Sequence, residues 1–158
     1  MPFWFVAEAL SEIEVTQGKG SQDIIKEIIA NVFRTAIANN PSELPRLFYF
    51  FIVKLAPEYE GLETGVGQEL VLKAVAKGCG KSVKQIRDLF KAEGDLGTVV
   101  AKSKKSQNTI GTFFTKSAAA KKKEGLLFKD VFAAFDKIAR TQGNSSVVDK
   151  ENTIVRLM

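Results

Sequence analysis

Apolar residues return every three or four positions along most of this chain, the spacing of one face of an α-helix. Phe3, Val6, Leu10 and Ile13 make a first stripe, closed by Gln17-Gly18-Lys19-Gly20. Ser21 is read as the N-cap of a second helix, with Asp23 in its first turn where the helix dipole favours an anion. Ile24, Ile25, Ile28, Ile29, Val32, Phe33, Ala36 and Ile37 continue it, and Asn39-Asn40-Pro41 ends it. A third helix is expected from about Ser42 to Leu55, with Pro45 tolerated in its first turn and Pro57 beyond its end. Its centre, LFYFFIV, has strand propensity as well, but caps and length favour a helix.

A glycine-rich stretch, Gly61 to Gly67, precedes a fourth helix with Leu70, Val71, Ala74 and Val75 inward and Gly78 as its C-cap. Ser82 caps a fifth, carrying Val83, Ile86, Leu89 and Phe90, and Gly94 ends it. From Thr98 to Gly125 lysine, serine and threonine dominate, so residues 98–125 are expected to form a basic flexible loop. Val131, Phe132, Phe135, Ile138 and Ala139 share the face of a sixth helix, ended by Gly143-Asn144-Ser145-Ser146. A seventh starts at Ser146 and stops while still apolar, so the domain is expected to be incomplete at its C-terminus. The fold class is all-α, an irregular assembly of about seven helices.

Composition changes this picture in two respects. The chain has 158 residues and suits one domain, with no apolar run near the ~20 residues of a membrane span. It contains no histidine and one cysteine, Cys79. That excludes a Ser-His-Asp or Cys-His apparatus, a thiolate or imidazole zinc site and an internal disulfide. A lone cysteine and no secretory signal bound the compartment to cytosol or nucleus. Charge is uneven. Residues 98–123 hold seven lysines and no acid, leaving 16 basic against 18 acidic residues elsewhere. One local basic segment is what a polyanion met at one place requires, and equally what a solvated loop looks like.

Two motifs fail on inspection. Gly78-Cys79-Gly80-Lys81-Ser82 invites a phosphate loop, but Val75 stands where the pattern needs its first glycine and the preceding segment reads as helix, not strand. Lys91-Ala92-Glu93-Gly94 nearly spells a Lys-x-Asp-Gly adenylation motif, yet Glu replaces Asp and the lysine lies at a helix end. Three features remain open. Gly65 and Gly67 before a helix leave backbone amides unobstructed at its positive end, or simply serve a turn needing positive φ. Lys102, Lys104, Lys105, Ser106 and Gln107 offer the cations and short donors that grip a nucleic-acid backbone, or belong to a soluble loop. Arg34, beside Thr35, could snorkel to solvent, pair with Glu43 or reach a phosphate.

Taken in order, these fragments resemble the N-terminal DNA-binding domain of ATP-dependent DNA ligases, closest to the replicative eukaryotic enzyme and its archaeal relatives. GLETGVGQELVLKAVAKGCGKS looks like the family's E-L-G-V-G followed by L-[LI]-K-A-V-A. GDLGTVVAKSKKSQ is similar to its G-D-[LV]-G before a basic Ser/Thr/Gln segment, and FKDVFAAFDKIARTQGNSS to its aromatic helix and Gly-Ser turn. PFWFVAEALSEIE and IIANVFRTA fit more loosely. The resemblance implies an all-helical domain lying along the minor groove of nicked duplex DNA and binding it without regard to sequence. It implies DNA contacts from Arg34, Thr35, Gly65, Gly67, Lys104, Ser106 and Gln107, to which the basic segment itself adds Lys102 and Lys105 as candidates. It also implies that catalysis, with ATP and Mg as cofactors, belongs to adenylation and OB-fold domains of a parent chain acting in replication and repair in the nucleus. Such a fragment holds no catalytic residue, metal ligand or cofactor of its own, and replication proteins would be met through regions outside it. Thr64 replaces the family's usual Leu, and residues 117–124 replace a short connector, so Lys121, Lys122 and Lys123 inherit no role. The rival expectations are a non-catalytic helical protein-interaction module and a small nucleotide-dependent enzyme, the latter disfavoured by the failed phosphate loop.

Overall fold

The computed structural model describes residues 1–105 and 125–158. Among the described residues it holds eight α-helices joined by turns. They fall into two compact units, each built from two separate stretches of chain: residues 1–64 with 125–140, and residues 65–105 with 141–158.

The first unit comprises α1 (Phe3–Val15), α2 (Ser21–Asn39), α3 (Leu44–Phe51) and α7 (Phe128–Arg140). Its stretches are joined by an antiparallel bridge between Pro2 and Leu127. The Phe3 amide donates to the Leu126 carbonyl at 2.8 Å and the Phe128 amide to the Met1 carbonyl at 2.9 Å. Val6, Ala9, Val32, Ala36, Leu47, Phe128 and Phe132 are buried together. Phe50 is the hub of the aromatic packing. Its ring meets Phe3 from α1 edge-on and, from α7, Phe128 edge-on and Phe135 in a stack.

Helix ends account for the departures from expectation. Gly20, left-handed at φ 86°, precedes α2, so Ser21 is its first helical residue and not its cap. The third helix is split into a 3-10 turn, Pro41–Glu43, and α3, which stops at Phe51 and not near Leu55. It stops in a Schellman turn. The Lys54 amide donates to the Tyr49 carbonyl and the Val53 amide to the Phe50 carbonyl, with Val53 in the left-handed region at φ 58°.

The second unit comprises α4 (Gln68–Cys79), α5 (Val83–Glu93), α6 (Leu96–Lys105) and α8 (Ser146–Leu157). Leu72, Val75, Ala76, Cys79, Ile86 and Val99 form its core, against which Leu89, Leu96 and Met158 pack. Cys79 serves as a small apolar side chain there. Gly80, at φ 61°, is the C-cap of α4, while Gly78 lies inside the helix. Ser82 caps α5 as expected, in a reciprocal capping box with Gln85. The Gly78–Ser82 segment is thus a helix stop followed by a helix start, which explains its glycines without a nucleotide.

Helix α6, which brings the number among the described residues to eight, is the largest correction. Residues 98–105, expected in a flexible loop, continue α6. The Thr98 amide donates to Asp95 Oδ2 at 2.6 Å, a cap about two turns ahead of Lys102. The remainder of that expected loop, residues 106–124, lies outside the described residues.

Candidate nucleic-acid interface

The charge of the chain divides with the two units. Residues 65–105 and 141–158 carry eleven lysines and arginines against six acids, a net of +5. Residues 1–64 and 125–140 carry eight against eleven, a net of −3. The second unit is therefore where a polyanion is attracted.

Within that unit the turn before α4 is built as an approachable backbone. Gly65 adopts φ 57°, which a side chain resists, and nothing lies within 4 Å of a Cβ placed on Gly67. Gly67 is the N-cap of α4 and supplies no capping side chain. The first-turn acid, Glu69, is turned aside: Arg87 Nη2 donates to both of its carboxylate oxygens at 2.9 Å. The positive end of α4 keeps its amides with that acid occupied elsewhere.

Lys102 and Lys104 stand on α6, which packs against α4 and α5, and Lys105 is its last residue. Lys102 forms an ion pair with Glu93. It also lines a shallow cleft with Ser103, Lys81, Leu89, Glu93 and Val99. Lys81 lies just beyond the end of α4, so the glycine turn and the basic end of α6 mark opposite ends of that helix. With 12 residues, α4 is about 18 Å long. Ser106 and Gln107 lie outside the described residues.

Arg34 and Thr35 belong to the other unit. Arg34 Nη1 donates to Glu27 Oε1 at 2.7 Å and to Asn31 Oδ1 at 2.8 Å, on the open face of α2. It does not pair with Glu43, which is buried against the Met1 ammonium. The Thr35 hydroxyl donates to the Asn31 carbonyl one turn back.

Two residues that the sequence reading passed over belong to this description. Asp95 caps α6, and its carboxyl is held below the ordinary range by the Thr98 backbone amide and then the Thr98 hydroxyl. The aspartate three residues before a threonine was the available signal. Lys150, on α8, places its ammonium 3.3 Å from where a Cβ on Gly65 would sit; its distance in sequence left no local signal.

Residues 2–158 match the family model described as DNA ligase N terminus. The chain belongs to that family. Among similar proteins, DNA ligase 1 of Arabidopsis thaliana is 32% identical over 158 residues, all of this chain and 18% of that protein. DNA ligase 1 of Dictyostelium discoideum is 29% identical across the whole chain, 12% of its own length. The archaeal DNA ligase 2 of Thermofilum pendens is 31% identical, with 25% of its length covered. Eukaryotic and archaeal ligases thus align with this DNA ligase N-terminal family member throughout. The chain spans no more than a quarter of each of these three.

Proposed function

We propose that this chain binds duplex DNA at a nick, without reading sequence, as the DNA-gripping part of an ATP-dependent ligase. The observation that carries the reading is the concentration of positive charge in the unit holding both the glycine turn and the basic end of α6. The relatives' names, all DNA ligases, and the family match over residues 2–158 support it.

The mechanism follows from those positions. A phosphate oxygen at the turn would accept from the amides opening α4, where the helix dipole favours an anion. Lys104 and Lys105 would neutralise phosphates near the other end of α4. Arg34 would join such a contact by exchanging Glu27 for a phosphate, and Lys102 by exchanging Glu93. Backbone amides and lysines grip phosphates without distinguishing bases, which accounts for indifference to sequence. Chemistry with ATP and Mg would fall to parts of the relatives that this chain does not span. In a eukaryotic cell the place of action would be the nucleus.

Fluorescence anisotropy of a labelled nicked duplex, titrated with this chain across a salt series, tests the reading. Binding indifferent to sequence, with affinity falling steeply as salt rises, is expected. Failure to bind at low salt would favour a helical protein-interaction module, for which Val147 and Val148, exposed on α8, are the relevant observation.

A further inference from the structure

Glu93 is the last residue of α5, at the end where the helix dipole disfavours a carboxylate. A cation that answers it stands on the next helix. Lys102 Nζ donates to Glu93 Oε2, and the two form an ion pair between α5 and α6. The partners are unequally placed, the Lys102 side chain being 63% exposed and that of Glu93 27%. The lysine is therefore open to an incoming group while most of its partner is covered.

Both residues line the cleft that they share with Lys81 and Ser103, where Leu89 and Val99 supply apolar wall. A carboxylate in a cleft edged by two lysines competes with any anion that approaches them. A phosphate arriving at Lys102 has to take the lysine from Glu93. It then leaves that acid at the negative end of α5 with its cation drawn away. An exposed ion pair of this kind contributes little to folding, so its main effect falls on what Lys102 can bind.

We propose that Glu93 is a built-in competitor of DNA at Lys102, an acid that holds down the affinity of the basic end of α6. The inference rests on the DNA-binding reading above and deepens it. The strength of the grip is set by a carboxylate inside the interface as well as by the number of lysines.

The test uses the 158-residue chain, a labelled nicked duplex and anisotropy from 50 to 200 mM salt. Glu93→Gln, Lys102→Gln and the double variant are measured beside the parent. Glu93→Gln should bind severalfold more tightly at 50 mM. Its log–log salt slope should steepen by up to about 0.9, a further three- to fourfold loss of affinity across that range. Introduced into Lys102→Gln, the same substitution should change affinity little. A gain as large in Lys102→Gln as in the parent overturns the proposal, because it marks a general repulsion and not competition for that lysine. No gain in either background overturns it too. If neither the parent nor Glu93→Gln binds at 50 mM, the DNA-binding reading itself falls, and this inference with it. Should Glu93→Gln fail to fold, the carbon-13 resonance of the Glu93 carboxyl decides. A shift on adding duplex that Lys102→Gln abolishes supports the exchange; no shift, or the same shift in both chains, overturns it.

Discussion

The amide of Thr98 donates to the carboxylate of Asp95 at 2.6 Å, and with the Thr98 hydroxyl it holds that carboxyl below its ordinary range. The charged aspartate is thus the form that the folded helix prefers. Because the folded value is depressed, the stabilisation is complete above the ordinary carboxylate range. It is lost as pH falls through the lower folded value. Asp95→Ala should destabilise the second unit by about 1 kcal/mol near neutrality, the usual loss for an N-cap. Thermal melts across pH should show the gap between parent and variant closing in acid. A constant gap would mean that Asp95 does not cap α6 through its charge.

Val53→Gly should stabilise the chain. Val53 is a β-branched residue at φ 58° that is 92% exposed, so its side chain packs little while its backbone is strained. Left-handed geometry costs an L-residue about 1–2 kcal/mol, and glycine's extra chain freedom takes back about 0.5–1. A net gain of roughly 0.5–1 kcal/mol in denaturant melts is expected. A loss would show that the exposed valine has a contact of its own.

Phe128→Ala should be severe. Its ring is fully buried and lies 5.4 Å from that of Phe50 and 6.1 Å from that of Phe132. Truncating a core phenylalanine costs about 3–5 kcal/mol. Urea unfolding followed by far-ultraviolet circular dichroism would measure it, and a loss below 1 kcal/mol would contradict this packing.

Gly67→Ala separates backbone approach from folding. No atom lies within 4 Å of the added methyl, and Gly67 sits at φ −86°, so melting should change little. If a phosphate approaches the turn closely, affinity for a nicked duplex should nevertheless fall severalfold. Equal affinity would remove the turn from the interface.

Replacing Lys104 and Lys105 together by Glu should weaken binding to every duplex alike, with a shallower salt slope. Unchanged anisotropy curves would take the basic end of α6 out of the contact.

Much of this architecture can be read from periodicity alone. The stripe of Ile25, Ile28, Val32 and Ala36 announces α2, and Ser82 ahead of Val83, Ile86 and Leu89 announces α5. What escapes is decided by geometry beyond the local pattern. Glycine pairs mark a boundary without saying which glycine turns left-handed, so Gly78 and Gly80 exchange roles. No propensity rule foresees a valine closing α3, because its side chain opposes the conformation it adopts. The lysines after Leu96, Val99 and Val100 drew attention to charge and away from the apolar spacing that builds α6. Of the candidate site, Gly65, Gly67 and the basic segment are legible, whereas the pairing of Arg34 with Glu27 and the approach of Lys150 to Gly65 depend on packing.

The bridge between Pro2 and Leu127 also bears on how the chain is made. The Phe3 amide donates its hydrogen bond to the Leu126 carbonyl, and Phe50 finds ring partners in Phe128 and Phe135. At ribosomal rates of about 5–20 residues per second, the first helices wait on the order of ten seconds for those partners to be synthesised. During that interval Phe3, Phe50 and Leu47 have no α7 to cover them. The nascent chain is then most open to chaperone capture.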